Sequence, residues 1–577
     1  MKKSSAGCRQ IGRRAFVQGA AIAAAEAVSA LLPAANAATK PGASASIPEL
    51  VASDAKSVVE ISSGKIRGFN RRGIFIFRGI PYGESTSGEN RFMAPMPAKP
   101  WTGIRDTLQL GRACIQPASD SAHYRYDGGN MAPSDAEDFL LHRGEGILVP
   151  GEDCLHLNVW TPAIRDSGRR PVMVYMHGGG FEAGFDFDLG SYDGESLARN
   201  DVVVVTHNHR LNVFGYLNLA QIGGPRFADS ANVGLLDLVA VLEWVRDNIA
   251  QFGGDPRNVT IFGQSGGGGK VMALMAMPRA TGLFHRAAVQ SAPMLKALTR
   301  DYSGQIAVEV MQQLGLPQGS VDQLQHVSVD RLVGAAAEAI AKLTPPMPIL
   351  HRQYGMTGWG PTVDGTILPH DPFDPVAPRE SAHVPLITGS IFNEIVSALR
   401  DPIGNAMTES ELFHRIEQAF GASGAAIIAA YRRDYPDATP FGIYGAIAAE
   451  PFRRCAFEQA GRKAALGAAA SYVYVYSWRT PVLDDHPGTF HGCDIAFVFD
   501  NAEHCDHYSA RLPEALVMAK RISGAWVNFA RTGNPNHPGL PHWPAYTSEQ
   551  GATMVFNDRC EIRRSPEKEG LALIAAS

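Results

Sequence analysis

Gly263-Gln264-Ser265-Gly266-Gly267 sets a serine among glycines, the G-x-S-x-G pattern of a nucleophile held on a tight strand-to-helix turn. A serine hydroxyl is a poor nucleophile until a base takes its proton. The usual base is a histidine held in one tautomer by a carboxylate. Charge that develops on an attacked carbonyl also needs N–H donors, and losing one costs about 3–4 kcal/mol. A working serine therefore requires three further parts elsewhere in the chain. A flexible Gly/Ser loop would show the same five residues, so the flanking elements decide between the two readings.

Those flanks have the required form. Val259-Thr260-Ile261-Phe262 reads as a short buried strand, and Lys270 to Met277 as a helix stopped by Pro278. Glycines at 263 and 267 let the chain turn sharply between them. Val172 to Met176 and Val202 to Thr206 are continuous apolar runs suited to buried parallel strands. Leu235, Leu238, Val239, Leu242, Val245 and Ile249 recur on one helical face. Leu386-Ile387-Thr388 is a later strand ending at Gly389, and Ser471 to Tyr476 alternates Tyr and Val as a strand facing two environments would. Strands alternating with helices predict an α/β fold with a mainly parallel sheet. Residues 297–385 mix helix and loop and are expected to form a lid or substrate wall, and no internal repeat interrupts the pattern. His177-Gly178-Gly179-Gly180-Phe181 follows the 172–176 strand and matches the HGGG-type loop of esterases and lipases. Gly179, Gly180 and the N–H of Gly266 are the expected oxyanion donors.

Several further segments together resemble the carboxylesterase/cholinesterase family, the type-B carboxylesterases of α/β-hydrolase fold. Gly79-Ile80-Pro81-Tyr82-Gly83-Glu84 resembles GIPYAEP, and Glu152 to Asn158 resembles EDCLYLN. Phe252 to Gly267 resembles FGGDPxxVTxxGESAGG, and Asn528 to Pro535 resembles NFAxTGxPN. The resemblances run in family order from about residue 58 to 560. They imply an α/β-hydrolase fold: a mainly parallel central sheet flanked by helices, with insertions forming a substrate gorge or lid. They also imply an acid at Glu394, within Gly389-Ser390-Ile391-Phe392-Asn393-Glu394, although Asn393 and Ile395 replace the family's Asp and Gly. The base is then His491, within Thr489-Phe490-His491-Gly492-Cys493-Asp494. The order Ser265, Glu394, His491 is that of α/β-hydrolases. The implied activity is hydrolysis of a small-molecule carboxylic ester by a Ser-His-Glu triad, with neither cofactor nor metal. Other readings within reach are an amide, carbamate or lactone hydrolase, or a non-catalytic relative used for binding. Two family residues differ beside the serine: Gln264 stands where the family has Glu, and Gly266 where it has Ala. The first change removes a negative charge that would stabilise the imidazolium; the second keeps the N–H donor.

Composition limits the alternatives. The 577 residues are 45% hydrophobic, enough for a large core, and 52 basic against 57 acidic residues give a net charge of −5 without long charge runs, so nothing points to nucleic acid. Residues 1–37 read as an export signal. Arg13-Arg14 precedes an alanine-rich apolar stretch ending at Ala35-Asn36-Ala37, a twin-arginine-like arrangement with an A-x-A cleavage site. Glu26 interrupts that stretch, and no later run is long enough for a stable membrane anchor. Residues 38–57 read as a linker, and 58–577 as a single catalytic domain. Of the seven cysteines, Cys8 lies in the leader; export would place the remaining six in an oxidising compartment. The family resemblance implies a Cys114–Cys154 disulfide, closing a loop of about 40 residues worth roughly 4 kcal/mol. Cys493 and Cys505 are equally readable as a second pair or as two buried thiols. His207 with His209, and His504 with His507, have spacings that could suit a metal, but no carboxylate or cysteine set accompanies them, so packed or solvent-facing histidines are expected. Trp359 and Met272, Met275 and Met277 read as core or wall. Oligomeric state is left open.

Overall fold

This computed structural model describes residues 49–116, 139–141, 149–344, 350, 358–399, 401 and 403–577. The leader and residues 117–138 and 142–148 therefore lie outside the described residues. From Glu49 to Ser577 the chain forms one compact unit.

The strands are β1 (Leu50–Val51), β2 (Val58–Ile61), β3 (Gly64–Arg67), β4 (Phe69–Arg71), β5 (Ile74–Pro81), β6 (Ile104–Asp106), β7 (His156–Thr161) and β8 (Arg170–Met176). They continue with β9 (Val203–His207), β10 (Gly254–Gln264), β11 (Arg286–Gln290), β12 (Leu386–Ile391), β13 (Ser471–Tyr476), β14 (Ala552–Phe556) and β15 (Glu561–Arg564). Twelve make one sheet in the order β1-β4-β5-β7-β9-β8-β10-β11-β12-β13-β14-β15, and β2, β3 and β6 make a small second sheet. From β9 through β14 the strands are mutually parallel; β1, β4, β5, β7 and β15 pair antiparallel at the edges. The linker reading ends sooner than 57, because Leu50 and Val51 already pair with β4.

The strand order places the chemistry. From β8 the chain crosses to β9 on one side, then returns to β10 on the other, so the connections diverge between β8 and β10. In open α/β sheets, ligands bind at the carboxyl ends of strands at such a point. Register sets Gly263 of β10 beside Met176 of β8 and Gln264 beside Gln290 of β11. The loops that begin at His177 and Ser265 therefore leave the sheet side by side.

Helices cover both faces, which is why the central strands are apolar throughout. Val172, Val174, Met176, Val259 and Ile261 enter one core with Leu235, Leu238, Leu242 and Val245 of the helix Val233–Asn248. Met173, Tyr175 and Phe262 enter the opposite core with Trp526 of the helix Pro513–Thr532. The alternation of Ser471 to Tyr476 has the same origin. All six residues are buried, so the strand faces two cores and not a core and solvent. Its tyrosines pack against aromatic residues, Tyr474 lying 5.4 Å from Trp526 and 5.7 Å from Phe556, centroid to centroid. A parallel sheet covered on both sides has no wet face for polar residues to occupy. Trp359 and Met272, Met275 and Met277 are core residues. Within 297–385, the helices Arg300–Gln313 and Val329–Leu343 pack on each other; 345–349 and 351–357 lie outside the described residues. No helix among the described residues is long and apolar enough to cross a membrane.

One buried ion pair ties the carboxyl terminus to the turn after β12. Arg453 and Glu567 are fully buried and joined at 3.1 Å. Arg453 also donates to Ser390 Oγ at 2.6 Å and to the Ile391 and Phe392 carbonyls at 3.3 Å. Removing one partner of a buried pair leaves an uncompensated charge and costs about 3–5 kcal/mol. Glu567→Ala is therefore expected to lower unfolding free energy by about that amount in a denaturant titration. A loss well below 1 kcal/mol would contradict this role for the pair.

Candidate active site

At the end of β10 the chain turns within one residue. Ser265 has φ 58° and ψ −126°, and the helix Gly266–Met275 starts immediately after it. A non-glycine residue at positive φ is strained and persists only where its surroundings enforce it. Here the Ser265 N–H donates to the Gln290 carbonyl at 2.8 Å, and its own carbonyl accepts from the Gly269 N–H at 3.1 Å. The glycine at 266 has a specific reason. A Cβ on Gly266 would overlap the Gly180 backbone, so the Gly that replaces the family's Ala lets the glycine loop lie directly on the helix start.

That loop leaves β8 at His177. Gly179 and Gly180 have φ of 85° and 67°, a region open chiefly to glycine. Among the described residues no acceptor is found for the N–H groups of Gly179, Gly180 or Gly266. Gly266 is also the first helical residue, where backbone N–H groups lack intrahelical partners and the helix dipole favours negative charge.

The carboxylate and imidazole meet on the other side. Glu394, at φ 49° and fully buried, follows β12. One oxygen accepts the Ile391 N–H at 2.9 Å and the other lies 2.6 Å from His491 Nδ1. The His491 backbone N–H donates to the Glu394 carbonyl at 2.8 Å, so main chain and side chain are both tied. A carboxylate only accepts, so Nδ1 carries the proton and Nε2 keeps its lone pair. Asn393, where the family has Asp, has its N–H 3.2 Å from Thr489 Oγ1, and that hydroxyl donates to Asn393 Oδ1 at 2.8 Å. This joins the acid turn to the base loop a second time. Asp494 accepts from Gln290 at 3.0 Å and Tyr474 at 2.9 Å, anchoring the base loop over β11 and β13; burial raises its pKa to about 6.

Gln264 stands between these groups. Its Nε2 lies 3.1 Å from His491 Nε2, so the amide N–H donates to the imidazole lone pair. Its Oε1 lies against Gly178, where a Cβ would approach to 3.2 Å. The structure thus brings together Ser265, Gln264, the 178–180 loop, Gly266, His491 and Glu394. Ser265 Oγ has no hydrogen-bond partner among the described residues. The sequence shows Gln264 as a missing charge and gives no sign that it touches the imidazole, because being the residue before the serine does not fix where its side chain points.

Cys114 and Cys154 are buried neighbours, close enough for a thiol–thiol hydrogen bond, but the structure holds them as free thiols, not as the implied disulfide. Cys493 is a buried thiol hydrogen-bonded with Tyr508, and Cys505 is a buried thiol as well. His207 and His209 are fully buried, His504 is exposed, and His507 packs edge-on to Phe139 at 4.4 Å. Among the described residues no group of three or more His, Cys, Asp or Glu is arranged to hold a metal.

A mainly parallel sheet with a strained serine at the end of a central strand, a glycine loop beside it and a His–Glu pair on later strand ends is the arrangement of an α/β-hydrolase. Comparison with known proteins gives the family. The sequence profile of the Carboxylesterase family matches residues 55–574. The para-nitrobenzyl esterase of Bacillus subtilis (strain 168) is 31% identical over 516 residues, covering 89% of this chain and 97% of that protein. Carboxylesterase 1D of Rattus norvegicus is 31% identical over 540 residues, covering 89% and 92%. The solved structure of an esterase from Clostridium hathewayi that can hydrolyse aliphatic aromatic polyesters superposes with a TM-score of 0.77 at 33% identity, covering 91% of this chain and 99% of that one. This chain belongs to the carboxylesterase family. It is a serine carboxylic-ester hydrolase.

An acceptor-only side chain at 264 would favour the imidazolium, whereas the amide donates to the neutral ring. Gln264→Glu is expected to move the acid limb of kcat/KM to higher pH by about one unit or more. An acid limb that stays in place would show that residue 264 does not act on the imidazole.

Proposed function

We propose that Ser265, His491 and Glu394 form the catalytic triad of this esterase, and that the N–H groups of Gly179, Gly180 and Gly266 form its oxyanion hole. The observation that carries the reading is the His491–Glu394 hydrogen bond, which leaves the imidazole lone pair at Nε2, on the Gln264 side of the ring next to the serine turn. In the first half-reaction the Gln264 amide yields Nε2 to Ser265 Oγ. The imidazole then takes the hydroxyl proton as oxygen attacks the ester carbonyl. The tetrahedral oxyanion receives the three N–H groups, and Glu394 stabilises the imidazolium without accepting its proton. His491 protonates the leaving alcohol, giving an acyl-enzyme. Water, activated by the same imidazole, attacks that acyl group, and collapse of the second tetrahedral intermediate frees the acid and restores Ser265. Every proton and charge in this cycle is handled by these side chains and N–H groups.

The test uses p-nitrophenyl acetate and butyrate with a fluorophosphonate label. The unsubstituted protein is expected to hydrolyse both esters and to take up one label at Ser265. Ser265→Ala is expected to lose labelling and to lose turnover by at least about 10³-fold. Equal turnover by both proteins would sink the triad. A substrate panel that also contains amides, carbamates and lactones, with acyl and alcohol size varied, defines the bond and the size preference.

The domain and location follow the same reading. The catalytic domain takes in the paired strand at Leu50–Val51 ahead of the 58–577 range read from the sequence, and residues 1–37 direct export. Support comes from the arginine pair and Ala35-Asn36-Ala37 in the sequence. In an oxidising compartment the neighbouring thiols of Cys114 and Cys154 would close to a disulfide. Intact-mass analysis of exported protein is expected to give a chain beginning at Ala38, with a peptide map linking Cys114 to Cys154. A retained leader or two alkylatable thiols would reject the corresponding part.

A further inference from the structure

Lys270 lies fully buried in the helix Gly266–Met275, five residues after the serine. Its Nζ donates to the His177 carbonyl at 2.9 Å, the last backbone acceptor before the glycine loop. The Phe181 ring, at the far end of that loop, lies 5.7 Å from Nζ. The titratable groups that face it are His177 at the end of β8, and His207 and His209 at the end of β9 and just beyond. Burial first, and then the Lys270 charge, lower the pKa of all three, so they stay neutral. Among the described residues no carboxylate acts on the lysine, and burial alone lowers its pKa to about 7.

This is a costly place for an ammonium. Desolvation opposes it, and a cation near a helix N-terminus also opposes the helix dipole. A methionine would fill similar volume without either penalty. The helix start explains what the lysine adds. Residues 266–269 are four glycines in succession, each weakening a helix by about 1 kcal/mol relative to alanine. Lys270 is the first side chain in that helix, and it reaches across to the backbone of the neighbouring loop.

We propose that Lys270 is a positioning residue for ester hydrolysis: its buried ammonium, bonded to the His177 carbonyl, holds the 177–180 loop against the serine helix with its N–H groups ready for the oxyanion. The uncompensated charge adds positive potential where negative charge develops in the transition state. The proposal rests on Gly179 and Gly180 being oxyanion donors. It gives the signs of two effects. Loss of the ammonium lowers kcat more than it raises KM, because the charge acts on the transition state. The contribution is present while Lys270 is protonated and is lost as pH rises through its lowered pKa.

The experiment compares Lys270→Met, which removes donor and charge, with Lys270→Gln, which keeps a donor and removes the charge. Rates are expressed per fluorophosphonate-titrated site, so misfolded protein does not count. Lys270→Met is expected to lower kcat by about tenfold or more with KM within about twofold, and to weaken a trifluoromethyl ketone inhibitor by the same factor as kcat. Lys270→Gln is expected to recover part of that loss. Both variants are expected to lack an alkaline fall in kcat that the unsubstituted protein shows near neutral pH. A per-site kcat of Lys270→Met within about twofold of the unsubstituted protein would overturn the proposal, as would unchanged inhibitor affinity. Persistence of labelling and turnover in Ser265→Ala would instead overturn the active-site reading on which it rests.

Discussion

The backbone at Ser265 is held at φ 58°, and much of the surrounding architecture serves to keep it there. A serine left to itself relaxes out of that region, because its Cβ crowds the backbone. The turn is enforced from three directions: the β10 pairing with β8 and β11 up to the preceding residues, the Gln290 carbonyl that takes the serine N–H, and the helix that starts at the next residue. The same packing shapes the proposed site. It presses the Gly180 backbone onto Gly266 at the start of the serine helix, where N–H groups of the glycine loop and of Gly266 have no acceptor among the described residues.

The acid and base are assembled by a different logic. Ser265 owes its position to one strand and one helix, whereas Glu394 and His491 come from turns almost a hundred residues apart. Their hydrogen bond is held by redundancy. The backbone of His491 is bonded to that of Glu394, Asn393 to Thr489, and Asp494 to Gln290 and Tyr474 on the strands below. Arg453 fixes the carbonyls just before the acid and is itself fixed by Glu567 near the carboxyl terminus. In the proposed role the imidazole must hold its place to within about an ångström, and several short ties across two loops achieve what one hydrogen bond would not.

Gln264 and Lys270 acquire meaning only in three dimensions. Both lie within six residues of the serine turn; the sequence marks Gln264 as a missing charge and gives no sign of a role for Lys270. The amide contacts the imidazole, and the ammonium contacts the His177 carbonyl at the start of the glycine loop. Each touches a partner far away in the sequence: 227 residues for Gln264 and 93 for Lys270.

The layered α/β architecture, the strand-turn-helix at Ser265 and the glycine loop at 178–180 were legible in the sequence, and the family resemblance pointed to Glu394 and His491. These follow from local signals: hydrophobic runs, glycine placement and short motifs, each legible within about ten residues. The sequence also marked 471–476 as a strand, yet the Tyr/Val alternation did not reveal that both faces are buried, because alternation records two faces and not what covers them. Tertiary structure alone decided which groups meet: the Gln264 amide on His491, Lys270 on His177, Asn393 on Thr489 and Arg453 on the acid turn. The physical reason is that these contacts join residues of distant sequence position through the register of neighbouring strands. A side chain's partner there is set by strand order, which no local pattern encodes.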